Sequence, residues 1–290
     1  MNGVSGVIDL MIGMPRAPGD RSVSPALQRL LKDEESIEQF AFPAQHLFVD
    51  LPAERWSDDP IGTVVAAMDA CGVERGMLGV AASAPVAVQA LAEHPDRFFG
   101  SFEVDPREGM DGVRALRCAA EEWGVKAATA FPAGTFPQAP FGDRAWYPLL
   151  AACCELGLPL CVCAGVPGPR IPMDAQHVER LDEVLFDFPE LTVVMRHGGE
   201  PWAELAVKLM LKWPNLHYST SAFTPRHYPR AVVDYANTRG ADQVMYAGYF
   251  PMGLSLQRIF QELPDVPFAE HVRPKFLRDN AVRVFGLEAA

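Results

Sequence analysis

The residues best suited to chemistry in this chain lie at the ends of short apolar runs. His197 closes the run Leu191-Thr192-Val193-Val194-Met195-Arg196-His197, and Gly198-Gly199-Glu200-Pro201-Trp202 follows it. A strand that ends in His and then turns into a helix aims an imidazole, the side chain that most readily exchanges a proton near neutral pH, beyond the strand tip. Alternate residues of a strand point the same way, so Cys161 and Cys163 share a face, as do Asp9 and Met11. Glu103 and Asp105 share a face at the end of another run, where paired acids serve either acid–base work or loop capping. Thr129 should point inward near Phe131, for substrate binding or core packing. Arg170 and Arg226 fall in loops and are candidate bidentate partners for a carboxylate or phosphate. His94 and His177 read as surface residues.

The pattern that must position these residues alternates strand and helix. Strands are expected at Val4 to Met11, Arg75 to Val80, Phe98 to Val104, Val125 to Phe131, Leu158 to Cys163, Leu191 to His197, Leu216 to Ser221 and Val244 to Gly248. Helices are expected at Ile61 to Cys71, Ala84 to Glu93, Met110 to Trp123, Tyr147 to Leu156, Ala175 to Phe188, Ala203 to Lys212, Arg230 to Asn237 and Leu254 to Gln261. Continuous apolar strands bounded by Gly and Pro, each followed by an amphipathic helix, indicate parallel strands covered by helices. Eight such units predict an α/β fold, a (β/α)8 TIM barrel, in one domain spanning 1–290. An open doubly wound sheet is the alternative, but no GxGxxG turn follows the first strand. Residues 14–60 form a long excursion between the first strand and its helix, the length expected of a lid; His46 within it is placed to close over the site. The 26 prolines gather largely in loops after strands, which on a barrel build the active-site face.

Composition narrows the partners. The chain has 290 residues, 49% of them hydrophobic, and a net charge of -12. No basic cluster with interleaved aromatics is present, so nucleic acid is not an expected partner. No apolar run approaches the roughly 18 to 20 residues of a membrane span. The first residues do not read as a signal peptide, and the six cysteines form no CxxC pair, which points to a reduced, cytoplasmic protein. The expected partner is a small-molecule substrate, with homodimerisation left open.

The strand-end motifs resemble the amidohydrolase-related family of metal-dependent hydrolases and decarboxylases, the group that includes aminocarboxymuconate semialdehyde decarboxylase. The matching pieces are Val7-Ile8-Asp9, Arg196-His197-Gly198-Gly199-Glu200-Pro201-Trp202, Tyr218-Ser219-Thr220-Ser221-Ala222, Ala247-Gly248-Tyr249-Phe250-Pro251-Met252 and Asn280 to Leu287. The resemblance implies a metal-dependent-hydrolase-like barrel and a His-x-His pair after the first strand, where this chain has Met11-Ile12-Gly13. It implies a fourth-strand His at Phe131, a fifth-strand His at Cys163, the kept sixth-strand His at His197 and an eighth-strand Asp at Tyr249. A catalytic zinc or manganese ion wants three or more nitrogen or oxygen ligands. His197 alone does not supply them, so no metal and no other cofactor is expected. Cys163, His197 and Met11 together offer softer ligands, better suited to Cu(I).

In the family register Cys163 and His197 point inward from adjacent strands, which raises a Cys–His nucleophile against a plain core cysteine. Asp9 would orient the imidazole and Tyr249 would donate a proton. Met11, Phe131, Phe250, Met252 and Trp202 make the implied mouth apolar, which suits an aromatic or hydrophobic substrate. Two readings follow. One is a metal-independent hydrolase or C–C lyase, decarboxylase-like, acting on an apolar or aromatic organic acid, ester or thioester. It would use His197, Cys163, Asp9 and Tyr249, with Met11, Thr129, Phe131, Arg170, Arg226, Phe250, His46 and Trp202 around the substrate. The other is a pseudoenzyme that binds a small molecule or supports a partner subunit.

Overall fold

The computed structural model describes residues 6–288. Its strands are Val7–Asp9 (β1), Val73–Gly79 (β2), Phe98–Glu103 (β3), Ala127–Ala130 (β4), Leu160–Cys163 (β5), Val193–Arg196 (β6), Leu216–Ser219 (β7) and Val244–Met245 (β8). Each pairs in parallel with the next, in sequence order. Pro25–Leu30 (α1) lies in the excursion. The barrel helices are Pro60–Cys71 (α2), Pro85–Glu93 (α3), Met110–Glu122 (α4), Tyr147–Leu156 (α5), Leu181–Asp187 (α6), Ala203–Lys212 (α7), Arg230–Thr238 (α8) and Leu256–Glu262 (α9). One helix follows each strand, and the eight-unit barrel expected from the alternation is the observed fold.

Local sequence explains where the elements begin and stop. Asp59 caps α2 by accepting from Gly62 N at 3.0 Å, and Pro60 occupies the first helical position, where its missing N–H costs nothing. Gly72 ends the same helix in the left-handed region at φ 70°.

The seam between β8 and β1 is made with an unusual acceptor. Leu10 N donates to Tyr246 O at 3.4 Å and Gly13 N to Phe250 O at 2.8 Å. Between them, Gly248 N donates to the Asp9 carboxylate, Oδ1, at 2.8 Å, and the same oxygen accepts from Met11 N at 2.9 Å. A Cβ on Gly248 would sit 2.6 Å from Asp9 Oδ2, so only glycine fits beside the carboxylate.

Two apolar layers hold the barrel. Ile8, Leu10, Met77, Phe99, Ala127, Cys161, Val194, Met245 and Ala247 fill the inside, with Ala281, Phe285 and Leu287 from the C-terminal segment. Phe285 meets Phe99, near the start of β3, at 5.9 Å, so this segment plugs the end where the strands begin. A larger layer joins the outer strand faces to the helices, with Trp146, Tyr218, Tyr246 and Phe276 among its fully buried side chains. The carboxyl ends of the strands are left as the functional face.

Several expected boundaries move. The strand expected at Leu191 to His197 is Val193–Arg196, because His197 turns into the left-handed region at φ 60°. Ala175 to Phe188 is two 3-10 turns and then α6; His177 breaks the run with extended backbone, and its Nδ1 accepts from Glu179 N at 3.3 Å. The last strand is cut to Val244–Met245 as Tyr246 N donates to Phe276 O. The first is Val7–Asp9, and the expected residues 4 and 5 lie outside the described residues.

The excursion is folded back across the strand ends rather than extended. Arg16 N donates to Arg55 O at 2.9 Å and Ser57 N to Arg16 O at 3.2 Å, which ties its two ends together. Arg170, in the loop after β5, grips its middle through Asp33 and Glu35, both at 2.8 Å, and lies over the Phe40 ring at 5.4 Å.

Candidate active site

Strand alternation places the polar residues at the functional face. Phe99 faces the lumen, so Ser101 and Glu103 follow it up the inner wall of β3. Cys161 and Val194 are also inside, which sends Cys163 and Arg196 inward as register partners at the tips of β5 and β6. Alternation would then turn His197 outward. Its left-handed backbone, a conformation that costs a non-glycine residue energy and recurs at functional sites, sends the ring to the mouth instead. The turn continues through Gly198 at φ 75°, where a Cβ would lie 2.9 Å from the Tyr218 hydroxyl oxygen.

Ser221 fixes the imidazole. His197 N donates to Ser221 Oγ at 2.9 Å, and Nδ1 lies 3.1 Å from the same oxygen. Nε2 is therefore the nitrogen left for a ligand. Loss of hydration, then the Arg196 charge, push His197 down to about 3, against a smaller opposing hydrogen bond to the Ser221 main chain. The ring is neutral throughout the physiological range. Tyr249 meets it edge-on at 6.1 Å and is itself stacked on Phe48 of the excursion at 5.4 Å. Phe42 packs on the edge of Tyr249 at 6.2 Å, so the excursion supplies an aromatic cover to the site.

Cys163 does not pair with the imidazole: no hydrogen bond joins them. Its neighbours are Arg196 and Glu103, and burial pushes its thiol up to about 11 despite the Arg196 charge. It is a thiol, not a thiolate, at neutral pH. Burial also pushes the Glu103 carboxyl up, with Asp105 adding to the rise and Arg196 opposing it. Glu103 is nonetheless exposed by surface area, as the last residue of β3, so water reaches its side chain. Asp105 faces its own loop and caps it, accepting from Arg107 N at 2.8 Å.

The other sequence-derived candidates spread out. Asp9 is fully buried at the β8–β1 seam, with Tyr246 beside it, and none of its hydrogen bonds reaches His197. Its burial pushes it up to about 6, against the two main-chain N–H donors. Met11 is half-buried above the lumen and Thr129 is buried there, opposite Glu103 in the β3–β4 register. Phe131 leaves the tip of β4 with its ring folded over Gly134, where a Cβ would come within 2.3 Å. Phe250 packs in the layer between barrel and helices, and Trp202 meets His177 at a tilt, with ring centroids 3.9 Å apart. Arg170 is spent on Asp33 and Glu35; Arg226 leans 3.8 Å from Glu262 on α9. His46 stacks on Phe40 at 5.8 Å beside that Arg170 cluster, and loss of hydration lowers it. His217, unremarked in the sequence, is buried in the lower lumen with Nδ1 unpartnered.

Arg196 is the residue that sequence reasoning missed. A strand ending in an inward His implies an outward Arg before it, and only the left-handed turn at His197 brings both to one mouth. Among the described residues, no carboxylate lies within 4 Å of its guanidinium.

The family metal does not fit these side chains. Among the described residues, no group of three or more His, Cys, Asp and Glu gathers to hold an ion. Met11, Gly13, Phe131 and Tyr249 offer no nitrogen or carboxylate, and Nδ1 of His197 is engaged by Ser221. A hard dication has no oxygen-rich shell here. A surface cleft of about 710 Å³ lies on the helical flank between Tyr147 and Asp187.

An eight-stranded parallel barrel with its polar residues at the carboxyl strand ends is a TIM barrel of the hydrolase-like kind. The amidohydrolase family model (Amidohydro_2) matches residues 51–287, and the chain belongs to that family. Among solved structures, an uncharacterised TIM-barrel protein from Bordetella bronchiseptica is similar at 22% identity, covering 97% of this chain and 99% of its own, with a TM-score of 0.76. The 5-carboxyvanillate decarboxylase of Sphingomonas paucimobilis is similar at 19% identity, covering 98% and 100%, with a TM-score of 0.67. A dihydroxybenzoic acid decarboxylase of Polaromonas, solved with bound manganese and the inhibitor 2-nitroresorcinol, is similar at 17% identity, covering 99% and 98%, with a TM-score of 0.64. No curated protein matches the sequence. None of the helices is long and apolar enough to cross a membrane among the described residues.

Proposed function

We propose that this barrel is a metal-independent enzyme, a hydrolase or decarboxylase-like C–C lyase, acting on an apolar or aromatic organic acid or its ester. The observation that carries the reading is His197: a strained, Ser221-held, neutral imidazole that presents Nε2 to a mouth roofed by Tyr249, Phe48 and Phe42. Left-handed backbone at a non-glycine residue recurs at functional sites, which supports the reading. Nε2 would meet a substrate oxygen or accept a proton from it. Glu103, with its carboxyl pushed up, is the group able to hold and return a proton. Cys163 would line the site as a thiol and Asp9 would hold the seam beneath it. The relatedness to decarboxylases of aromatic acids supports the substrate class.

The binding-only reading keeps one observation in its favour: Met11, Gly13, Phe131 and Tyr249 fill the family metal positions with groups that do not ligate. The test that separates the two uses chelator-treated protein on a panel of aryl carboxylates and aryl esters, following carbon dioxide or acid release. The expected result is turnover in the chelated protein that is lost in His197→Gln. Turnover only after manganese is restored, or equal turnover in His197→Gln, would sink the enzyme reading as stated. Thermal stabilisation by a panel member without turnover would favour binding alone.

A further inference from the structure

Arg196 stands alone among the arginines around the mouth. Arg170 is neutralised by Asp33 and Glu35, Arg226 faces Glu262, and Arg16 donates to Ser22 O at 2.9 Å and Ala41 O at 3.4 Å. The Arg196 guanidinium has no such partner, and it sits inside a barrel rather than on its surface. Its surroundings are the Cys163 thiol, the neutral His197 ring, the Tyr249 ring and, across the mouth, Glu103. An unpaired charge in a partly desolvated, mostly apolar site is costly until an anion joins it. The planar fork of a guanidinium matches a carboxylate with two parallel hydrogen bonds. The same charge has a second customer. Glu103 feels Arg196 as its one nearby cation, while Asp105 and the Cys163 sulfur face it with no positive charge, and its β4 register partner Thr129 is neutral.

We propose that Arg196 anchors the carboxylate of an aromatic monocarboxylate ligand, and that Glu103 takes up one proton from solvent as the anchor fills. The inference rests on the reading above that the mouth accepts an apolar or aromatic acid. The charges balance: the ligand brings one negative charge to Arg196, and the proton cancels the Glu103 charge that the guanidinium no longer offsets. The mouth then holds the ligand anion, the Arg196 cation and a neutral Glu103 carboxylic acid, a proton donor formed only when the ligand is present. Affinity therefore falls as pH rises, because each binding event consumes a proton.

The test is calorimetric titration of the full-length protein with benzoate, and with benzamide as the neutral isostere, in buffers of different ionisation enthalpy. Benzoate is expected to bind with measurable proton uptake, and benzamide about tenfold or more weakly. Arg196→Met should lower benzoate affinity by about ten- to a hundredfold, the worth of a charged hydrogen-bonded pair, and leave benzamide unchanged. Glu103→Gln should keep benzoate binding but abolish both the proton uptake and the pH dependence. Circular dichroism of each variant confirms folding. Benzoate binding unaltered in Arg196→Met, equal affinity for benzamide, no benzoate binding at all, or proton uptake that survives in Glu103→Gln would each overturn the proposal. Arg196-dependent binding with no turnover in the substrate panel would leave the anchor standing and remove the enzyme reading. Turnover that ignores Arg196 but needs His197 would do the reverse.

Discussion

Replacing Asp9 with Asn should make the protein less sensitive to pH, because Asp9 is a buried carboxylate used as a seam acceptor. Its Oδ1 takes hydrogen bonds from Met11 N and Gly248 N, while Oδ2 is buried without a hydrogen bond. Burial pushes the group up from 3.8 to about 6. A carboxyl raised in the folded state contributes stability that is fully present below the unfolded value and is lost as pH rises through the folded value. A rise of about two units at about 1.4 kcal/mol each makes that contribution about 3 kcal/mol in all. Between pH 4.5 and pH 8, about 2 kcal/mol of it should disappear from the wild type, since part of the titration lies below that window. Asn keeps an oxygen for the two N–H donors and carries no charge, so its stability loses nothing over the same range. Urea unfolding of both proteins at matched pH values measures the difference. The gap, Asn variant minus wild type, should widen in favour of the variant by about 2 kcal/mol on going from pH 4.5 to pH 8. A gap that is flat with pH would refute the reasoning, by showing that the carboxylate is ionised in the fold without penalty. Asp9→Ala supplies the complement: it orphans two main-chain donors and should destabilise at every pH, by about 1–3 kcal/mol per group.

His217 runs the other way. Burial pushes it down to about 4, so its contribution is present above 6.5 and is lost as pH falls through 4; His217→Asn should retain about 3 kcal/mol more stability than the wild type at the acid end, read by the same unfolding series. Cys163, pushed up to about 11, should react with a disulfide reagent at pH 8 far more slowly than exposed Cys118, and Cys163→Ser should leave the early labelling amplitude unchanged; a fast-labelling Cys163 would restore the thiolate reading. Arg170→Ala releases the clamp on Asp33 and Glu35, and limited proteolysis should then cut within residues 14–60 faster than in the wild type, while cuts elsewhere keep their rate.

The barrel was legible in the sequence because its signals are local. Tyr147–Leu156 and Ala203–Lys212 fall at the residues that their apolar periodicity marks, and Gly157 ends the first of them in the left-handed region. Boundaries set by distant partners were not legible. Nothing near Tyr246 announces that its N–H belongs to Phe276, or that Gly248 is held by a carboxylate more than two hundred residues earlier. The site followed the same division. His197 was visible as a strand-end imidazole beside glycines. Arg196 was hidden by the period-two rule itself, which sends neighbours to opposite faces and fails where one residue adopts φ 60°. Asp9 and Phe250 looked like mouth residues from their motif positions, and both belong to packing beneath it. Arg170 had the right chemistry in the right loop, but its partners lie in an excursion whose path no local pattern records.

The unpaired guanidinium of Arg196 bears on any attempt to give this barrel a metal. Space is not the obstacle: a Cβ on Gly13 would meet only ordinary contacts, Pro251 Cδ at 3.6 Å and Phe250 O at 3.7 Å, so a histidine has room to begin there. Imidazoles grafted at positions 11, 13 and 163 would instead gather a dication beside a fixed positive charge on the neighbouring strand, at a half-buried residue where water screens the repulsion only in part. The order of reconstruction is thereby set. The arginine has to be discharged before ligands are worth installing, and a library that varies only the ligand positions would search a space in which every member is electrostatically penalised.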